Sequence, residues 1–531
     1  MSTAVTDATQ PSTQPWTPRV TAATFARLAA RAAVAEPGET ISVECPFTGE
    51  LLGAVPRGSS ADVTAAVARA REAQREWARW PVAERAELLH RFYDLVVARA
   101  ADICDLLQLE AGKARRDAYE EVLDVITKAR HNAHIVGPCL HSKRRQGAIP
   151  VLTKTRELHP PRGVVGIISP WNYPFTLTVG DAIPALVAGN GVVLKPDSQT
   201  PFCALWAAEA MADAGLPDGL FAILPGSGAE LGEPLIDAAD YLTFTGSTAT
   251  GRLVAAQAAS RIKDCSMELG GKNPLLVLPD ARLGAAVRGA TNGICASSGQ
   301  LCISIERVYV HDAVYDTFVP RLAESLHNVR LGAHLDFSVD MGSLIGAEQL
   351  AKVAGHVDDA VAKGAEVLAG GRARPDLGPY FYEPTLLAGV TDDMAVCRHE
   401  TFGPVASVYR CASVDEMIER ANDSEYGLSS SVWTRDPRAG RAVAERLHIG
   451  AVNINDAYVA AWASASPMGG FKTSGLGRRH GRAGLLRFTE TQTVAHQRIA
   501  HLATPPFLTH EQYAKALGLA VRAFRHVPWI D

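Results

Sequence analysis

GVVGIISPWNYP, residues 163–174, is an apolar run of strand length that breaks on a polar turn held between two prolines. A strand with one wet face alternates apolar and polar residues, and Val164–Ile168 does not. A run apolar at every position is buried on both faces, which points to a parallel sheet covered by helices. Three runs of the same kind follow: GVVLKP (191–196), LFAILPG (220–226) and YLTFTG (241–246), each closing on turn formers. Alanine-rich, helix-compatible segments such as DAIPALVAG and FCALWAAEAMADAG separate them. This strand–helix–strand alternation predicts an α/β fold with a parallel, doubly covered sheet. Ligands of such sheets sit beyond the C-terminal strand ends, where SPWN, KPDS, PGSG and GSTATG fall.

Upstream, residues 60–112 read as helical. Ser60 is the expected cap of a helix carrying Val63, Val67, Ala70 and Trp77, and a second stretch follows Pro81 and stops at Gly112. Strand and helix signals resume near 272 and run to about 480. Residues 149–160 and 486–500 alternate as strands outside this pattern, expected to pair with each other or with another subunit. Residues 1–18 read as a flexible polar tail without the regions of a signal peptide. Near the C-terminus, Tyr513, Leu517, Ala520, Val521 and Phe524 share one helical face. That helix is expected to pack on protein or, as a basic amphipathic element, to touch a membrane.

At 531 residues the chain exceeds one core, so two large domains are expected. A net charge of −5 with mixed signs leaves no footprint for nucleic acid. No apolar run reaches the ~18 residues of a membrane helix. Nine scattered cysteines, never spaced as CxxC, argue against a disulfide framework and against a zinc or other metal site. A reducing cytoplasm is the expected compartment.

Several residues could carry chemistry. GSTATG can present backbone N–H groups to a phosphate, but it lacks the GK[ST] of a triphosphate-binding loop. Lys195 leaves an apolar strand at its C-terminal end, suited to a ligand hydroxyl or phosphate. Glu268 in MELGGKNP and Glu400 in HETFGP are carboxylates beside glycines. Asn172 is fixed between Pro170 and Pro174. Cys302 in SSGQLCISIER would, taken alone, be a small buried hydrophobe.

In order along the chain, SPWNYP, VLKP, FTGS, ELGGKNP, GQLC and ETFGP resemble the aldehyde dehydrogenase superfamily over roughly residues 40–500. Within it, KPDSQTP, GQLCISIER, DFSVDMGSLI and PMGG are most similar to actinobacterial proteins named as succinate-semialdehyde dehydrogenases that use NADP. The resemblance implies a Rossmann-like cofactor domain (19–148 and 161–271), an α/β catalytic domain (272–484), oligomerisation strands (149–160 and 485–500) and a C-terminal extension (501–531). It implies a homodimer or homotetramer acting on a small-molecule aldehyde. It makes Cys302 the nucleophile, Asn172 and the Cys302 backbone N–H the oxyanion donors, and Glu268 the base for hydrolysis. Trp171 and Lys195 would line the adenosine side, with Gly228, Phe244, Gly246, Ser247 and Thr250 near the phosphates. Leu269 would lie beside the nicotinamide, and Glu400 and Phe402 would hold its ribose.

Two departures bear on specificity. Ser198 stands where NAD-preferring relatives commonly carry a glutamate, which removes repulsion against a 2′-phosphate and predicts NADP as cofactor, with NAD still accepted. Gly180 stands where succinate-semialdehyde enzymes carry an arginine, so another cation, for example Arg307, is expected to meet a substrate carboxylate. An apolar or aromatic aldehyde is the competing substrate. A coenzyme A–acylating enzyme would usually lack Glu268. A catalytically silent binding protein on the same fold would not need Cys302, Glu268 and Asn172 together.

Overall fold

The computed structural model describes residues 18–36, 38–147, 153–497 and 503–524. The expected tail, Pro18 apart, therefore lies outside the described residues. Each of the four apolar runs contributes one strand to a single six-stranded sheet. Its order is Gly475–Leu476, Cys265–Glu268, Tyr241–Thr245, Val164–Ile168, Gly191–Lys195 and Phe221–Ile223. All neighbours are parallel except the short Gly475–Leu476 strand. Successive residues feed opposite cores: Val165 and Ile167 pack with Val179 and Ile183, whereas Val164 and Ile168 pack with Val63 and Val67. Burial on both faces is why the sequence shows no alternation.

The helical region divides into Ser60–Trp77, Val82–Ala98 and Ala100–Ala111. Ser59, not the expected Ser60, caps the first. Its hydroxyl accepts from the Asp62 N–H while the Asp62 carboxylate accepts from the Ser59 N–H, a reciprocal pair that only this spacing allows. Gly112 ends the third in the left-handed region, with φ 68°.

A seven-stranded sheet follows in the order Glu366–Ala369, Thr385–Ala388, Val405–Cys411, Ile305–His311, Asn273–Val277, Ser429–Trp433 and Ala451–Ile454. It is parallel apart from its first pair. Thr153–Leu158 pairs antiparallel with both Lys143–Gln146 and Gln492–Gln497 in a third, largely exposed sheet. The strand expected from 486 begins only at 492. Gly481–Leu486 is a helix instead, with Gly484 and Leu485 buried. Residues 149–152 and 498–500 of the two expected strands lie outside the described residues.

His510–Phe524 forms the expected C-terminal helix. Tyr513, Leu517 and Ala520 are half-buried, while Val521, expected on the same face, is exposed. Among the described residues no helix is long and apolar enough to cross a membrane.

Candidate active site

Strand register brings the chemistry to one end of the six-stranded sheet. Ile168 stands opposite both Lys195 and Phe244, Phe244 opposite Met267, and Thr245 opposite Glu268. The turns that follow these residues therefore converge.

On one side, Lys195 Nζ donates to the carbonyls of Pro196 (2.8 Å) and Gly226 (3.1 Å). Ser198 Oγ donates to the same Gly226 oxygen at 3.2 Å. Burial lowers the Lys195 pKa, and Asp197 opposes the shift. Gly228 opens the helix Gly228–Ala238, and an added Cβ there would meet nothing within 4 Å. Ser247 caps the helix Thr248–Ser260 by accepting from the Thr250 N–H at 3.2 Å. Gly246 passes beneath the Phe244 ring, 2.7 Å from where a Cβ would stand. Two helix N-termini, a buried ammonium and an open glycine edge fit the sugar and phosphates of a dinucleotide.

On the other side, Asn172 Nδ2 donates to the Gln300 carbonyl at 2.9 Å, two residues before Cys302. The chain reaches Cys302 through Ser297, Ser298 and Gly299, all left-handed at φ 47°, 57° and 70°. Only Gly299 adopts this without strain, and a Cβ there would lie 2.1 Å from the Gly403 carbonyl. Surrounding groups hold the strained turn. Lys113 Nζ donates to Ser297 Oγ (2.9 Å), Asp117 accepts from the Ser297 N–H (3.1 Å), and Ser298 Oγ donates to the Gly342 carbonyl (3.0 Å). Beyond the sulfur, Asn273 Nδ2 donates to the carbonyls of Cys302 and Ser304, at 2.8 Å each.

The third group comes from HETFGP. Glu400 Oε1 accepts from the Gly271 N–H at 2.8 Å, and a Cβ on Gly270 would stand 2.7 Å from its other oxygen. The two glycines after Glu268 thus let the backbone slide past Glu400. The Phe402 ring meets Trp171 edge-on at 5.5 Å, and Leu269 packs over Gly251. Glu306 holds this segment by accepting from the N–H groups of Thr401 (2.9 Å) and Phe402 (3.0 Å).

Burial raises both acids into the same range. Glu268 is buried and its Oε1 has no partner among the described residues. Burial pushes its pKa up to about 7, against the pull of Arg479 and Arg487. Burial raises Glu400 to about 7 as well, reinforced by Glu306. The Cys302 thiol is pushed up to about 12 by burial, with Glu268 and Glu400 adding to the shift and Arg479 opposing it. Tyr173, Leu177, Tyr458, Trp462 and Met468 pack in the cluster that contains Cys302. A carboxyl poised near neutrality beside a desolvated thiol is suited to acid–base work on a sulfur-bound intermediate.

Arg307 is not the expected substrate cation. Its guanidinium donates to the carbonyls of Lys272, Arg420 and Ala421 and to the Tyr309 hydroxyl, so it serves the backbone. Lys128 stands at the departure instead: a Cβ on Gly180 would lie 3.3 Å from its Nζ. Sequence reasoning also missed Lys113, Asp117, Glu306 and Arg479. Lys113 follows a helix-stopping glycine and Glu306 sits four residues past Cys302, but their partners are distant in sequence and no spacing marks them.

Known proteins match this arrangement. Residues 33–494 fit the group described as the aldehyde dehydrogenase family. A Mycolicibacterium smegmatis protein named "Putative succinate-semialdehyde dehydrogenase (NADP(+))" is 50% identical over 514 residues, 96% of this chain and 99% of that protein. The crystal structure of succinate-semialdehyde dehydrogenase from Burkholderia pseudomallei superposes with TM-score 0.84 at 35% identity, covering 87% of this chain and 96% of that one. A structure titled as an E. coli NADP-dependent enzyme gives TM-score 0.84 at 36% identity, covering 87% and 96%. With that span of matched sequence and shared architecture, the chain belongs to the aldehyde dehydrogenase family, and its reaction is the NAD(P)-dependent oxidation of an aldehyde.

Proposed function

We propose that this chain oxidises a semialdehyde, the succinate semialdehyde of its relatives' names being the first candidate, and that it uses NADP. The observation that carries the chemistry is the convergence of Cys302, Asn172 and Glu268 at one sheet end, with the thiol and both carboxylates desolvated. The Cys302 thiol gives up its proton to water, and the sulfur attacks the aldehyde carbon. The Cys302 backbone N–H and the Asn172 amide receive the negative charge on the aldehyde oxygen, a type of donor worth about 2.7–4 kcal/mol when one is removed. When bound, the nicotinamide supplies the hydride acceptor that turns the thiohemiacetal on Cys302 into a thioester. Glu268 then takes a proton from the hydrolytic water, and the acid leaves with the sulfur restored. Leu269, Glu400 and Phe402 hold the nicotinamide end, and Trp171, expected on the adenosine side, meets the Phe402 ring and joins them. Lys195, Ser198, Phe244, Gly246, Ser247, Thr250 and the Gly228 helix start hold the other.

Ser198 supports the choice of NADP, because its hydroxyl, on leaving the Gly226 carbonyl, can donate to a 2′-phosphate where a carboxylate would repel it. Ser198→Glu is expected to lower kcat/KM for NADP about 10- to 100-fold, an electrostatic cost of roughly 1–3 kcal/mol, with NAD spared. Steady-state kinetics with both cofactors reads this directly. A wild-type preference for NAD would remove its basis.

Lys128 supports the substrate class. Asp124 accepts one of its N–H groups, and among the described residues the other two remain for a carboxylate. Lys128→Met is expected to raise KM for succinate semialdehyde at least about tenfold and leave hexanal unchanged. The aromatic and apolar side chains around Cys302 favour a second reading, an apolar or aromatic aldehyde. Faster turnover of hexanal or benzaldehyde than of succinate semialdehyde by the wild type would select it.

The same reading includes association with a second copy through the exposed sheet of Lys143–Gln146, Thr153–Leu158 and Gln492–Gln497. Cytoplasmic residence is supported by nine cysteines that are all free. Surface contact through the C-terminal helix is supported by the exposed Leu519 and Val521.

A further inference from the structure

The strand neighbours of Glu268 lead to one buried cation. Thr245 stands opposite Glu268 on the adjacent parallel strand, so their side chains leave the same face about one strand spacing apart, roughly 5 Å. Arg479 Nη2 donates to Thr245 Oγ1 and, at 2.7 Å, to Asp181 Oδ2. The segment bearing Arg479 arrives from the other side, where Gly475 pairs with Glu268. Glu268 is therefore flanked on one strand by the group that anchors Arg479 and on the other by the stretch that leads to it.

Two facts distinguish this from an ordinary buried ion pair. Asp181 also accepts from Arg487, whose other nitrogen donates to Ser266 Oγ at 2.6 Å, so two guanidinium groups share one carboxylate. The cluster carries one excess positive charge. Arg479 Nε and Glu268 Oε1 are both buried with no partner among the described residues.

We propose that Arg479, clamped by Asp181 and Thr245, is a positioning residue whose excess charge holds Glu268 in its ionised, water-activating form. This rests on the reading of Glu268 as the base and Cys302 as the nucleophile. The charged groups facing Glu268 are Arg478 and Arg479 from the segment after Leu476, Arg487 past the helix Gly481–Leu486, and Asp181 from the helix Thr176–Val187. The arginines favour the carboxylate, and Asp181 and burial oppose it. Arg479 acts in the same sense on Cys302. A buried base without a fixed cation would remain protonated at neutral pH.

The test is the pH dependence of steady-state kcat in wild type, Arg479→Met, Arg479→Lys and Asp181→Asn. Arg479→Met should move the midpoint up by about one unit and lose about fivefold at pH 7, with the rate recovering at high pH. Arg479→Lys should restore the midpoint. Asp181→Asn, which removes the opposing charge, should move it down. A midpoint that stays fixed in Arg479→Met while the rate falls equally at every pH would mean a merely structural role and would overturn the proposal. Should Arg479→Met not fold, an unshifted midpoint in Asp181→Asn would overturn it. If Glu268→Gln itself kept the wild-type inflection, the assignment of Glu268 would be at fault and the proposal would fall with it.

Discussion

Cys302→Ala is expected to abolish oxidation of every aldehyde tested, with kcat falling on the order of 10⁴-fold or more. No other group near the site can form the covalent intermediate, and loss of a nucleophile removes the whole covalent path. The remaining eight cysteines are core or surface residues: Cys45, Cys104, Cys139, Cys203, Cys295 and Cys411 are buried, and Cys265 and Cys397 lie half-exposed elsewhere. Neighbouring Cys295 is buried at the end of the helix Leu283–Cys295, with its thiol also pushed up to about 12. It should not rescue the variant. Replacing one buried thiol by a methyl group costs about 1 kcal/mol of packing, so the variant should fold and bind NADP as the wild type does. Fluorescence titration of the cofactor verifies this. Activity in Cys302→Ala within tenfold of wild type would refute the covalent mechanism.

Glu268→Gln carries the second large effect. One equivalent of NADPH should form in a burst, after which turnover should slow about 10²- to 10⁴-fold because the thioester has lost its base. In the wild type, kcat should rise with pH through a midpoint near 7, the value to which burial raises Glu268. The amide cannot titrate, so the inflection should vanish.

Stability should move in the opposite direction. The Glu268 pKa is raised from 4.5 in the unfolded chain to about 7 in the fold. The folded state therefore holds a proton that the unfolded chain has lost, and wild-type stability declines as pH climbs from 4.5 through 7. Above that the deficit reaches about 3 kcal/mol, taking 1.36 kcal/mol per unit. Glu268→Gln escapes this penalty. Its Tm should exceed that of the wild type at pH 8, and the gap should close as pH falls toward 4.5.

What could be read from the sequence followed a physical division. Val164–Ile168 and its three counterparts were legible because burial on both faces leaves an unbroken apolar run. Asn172, Lys195, Ser198 and Gly246 fall at the ends of those runs, where ligands of a parallel sheet sit. Cys302, Glu268 and Glu400 became legible only as an ordered set, since each alone fits a structural role. The Ser59 cap was misread by one residue because Ser59 and Ser60 are chemically alike and only the reciprocal bond with Asp62 separates them. Residues 486–491 alternate like a strand, yet the burial of Gly484 and Leu485 keeps the preceding turn helical.

Arg479, Lys128 and Lys113 were illegible for another reason. Charged residues are normally solvated, and burial of these three depends on partners far along the chain. Arg479 meets Asp181, Lys128 stands over Gly180, and Lys113 reaches Ser297 and lies 3.3 Å from the centre of the Tyr173 ring. Arg307 failed as a substrate cation in the same way, because the carbonyls that consume it come from strand and helix ends no pattern announces.

In this mechanism carbon from the aldehyde becomes bonded to Cys302 sulfur, and Glu268 is needed to release it. The mechanism is tested most directly by mixing Glu268→Gln with NADP and succinate semialdehyde, quenching in acid, and mapping the adduct by peptide mass spectrometry. A succinyl mass increment is expected on the peptide containing Cys302, at close to one per active site, and none in the Cys302→Ala, Glu268→Gln double variant. An increment on another cysteine, or unhindered turnover with no adduct, would contradict the mechanism.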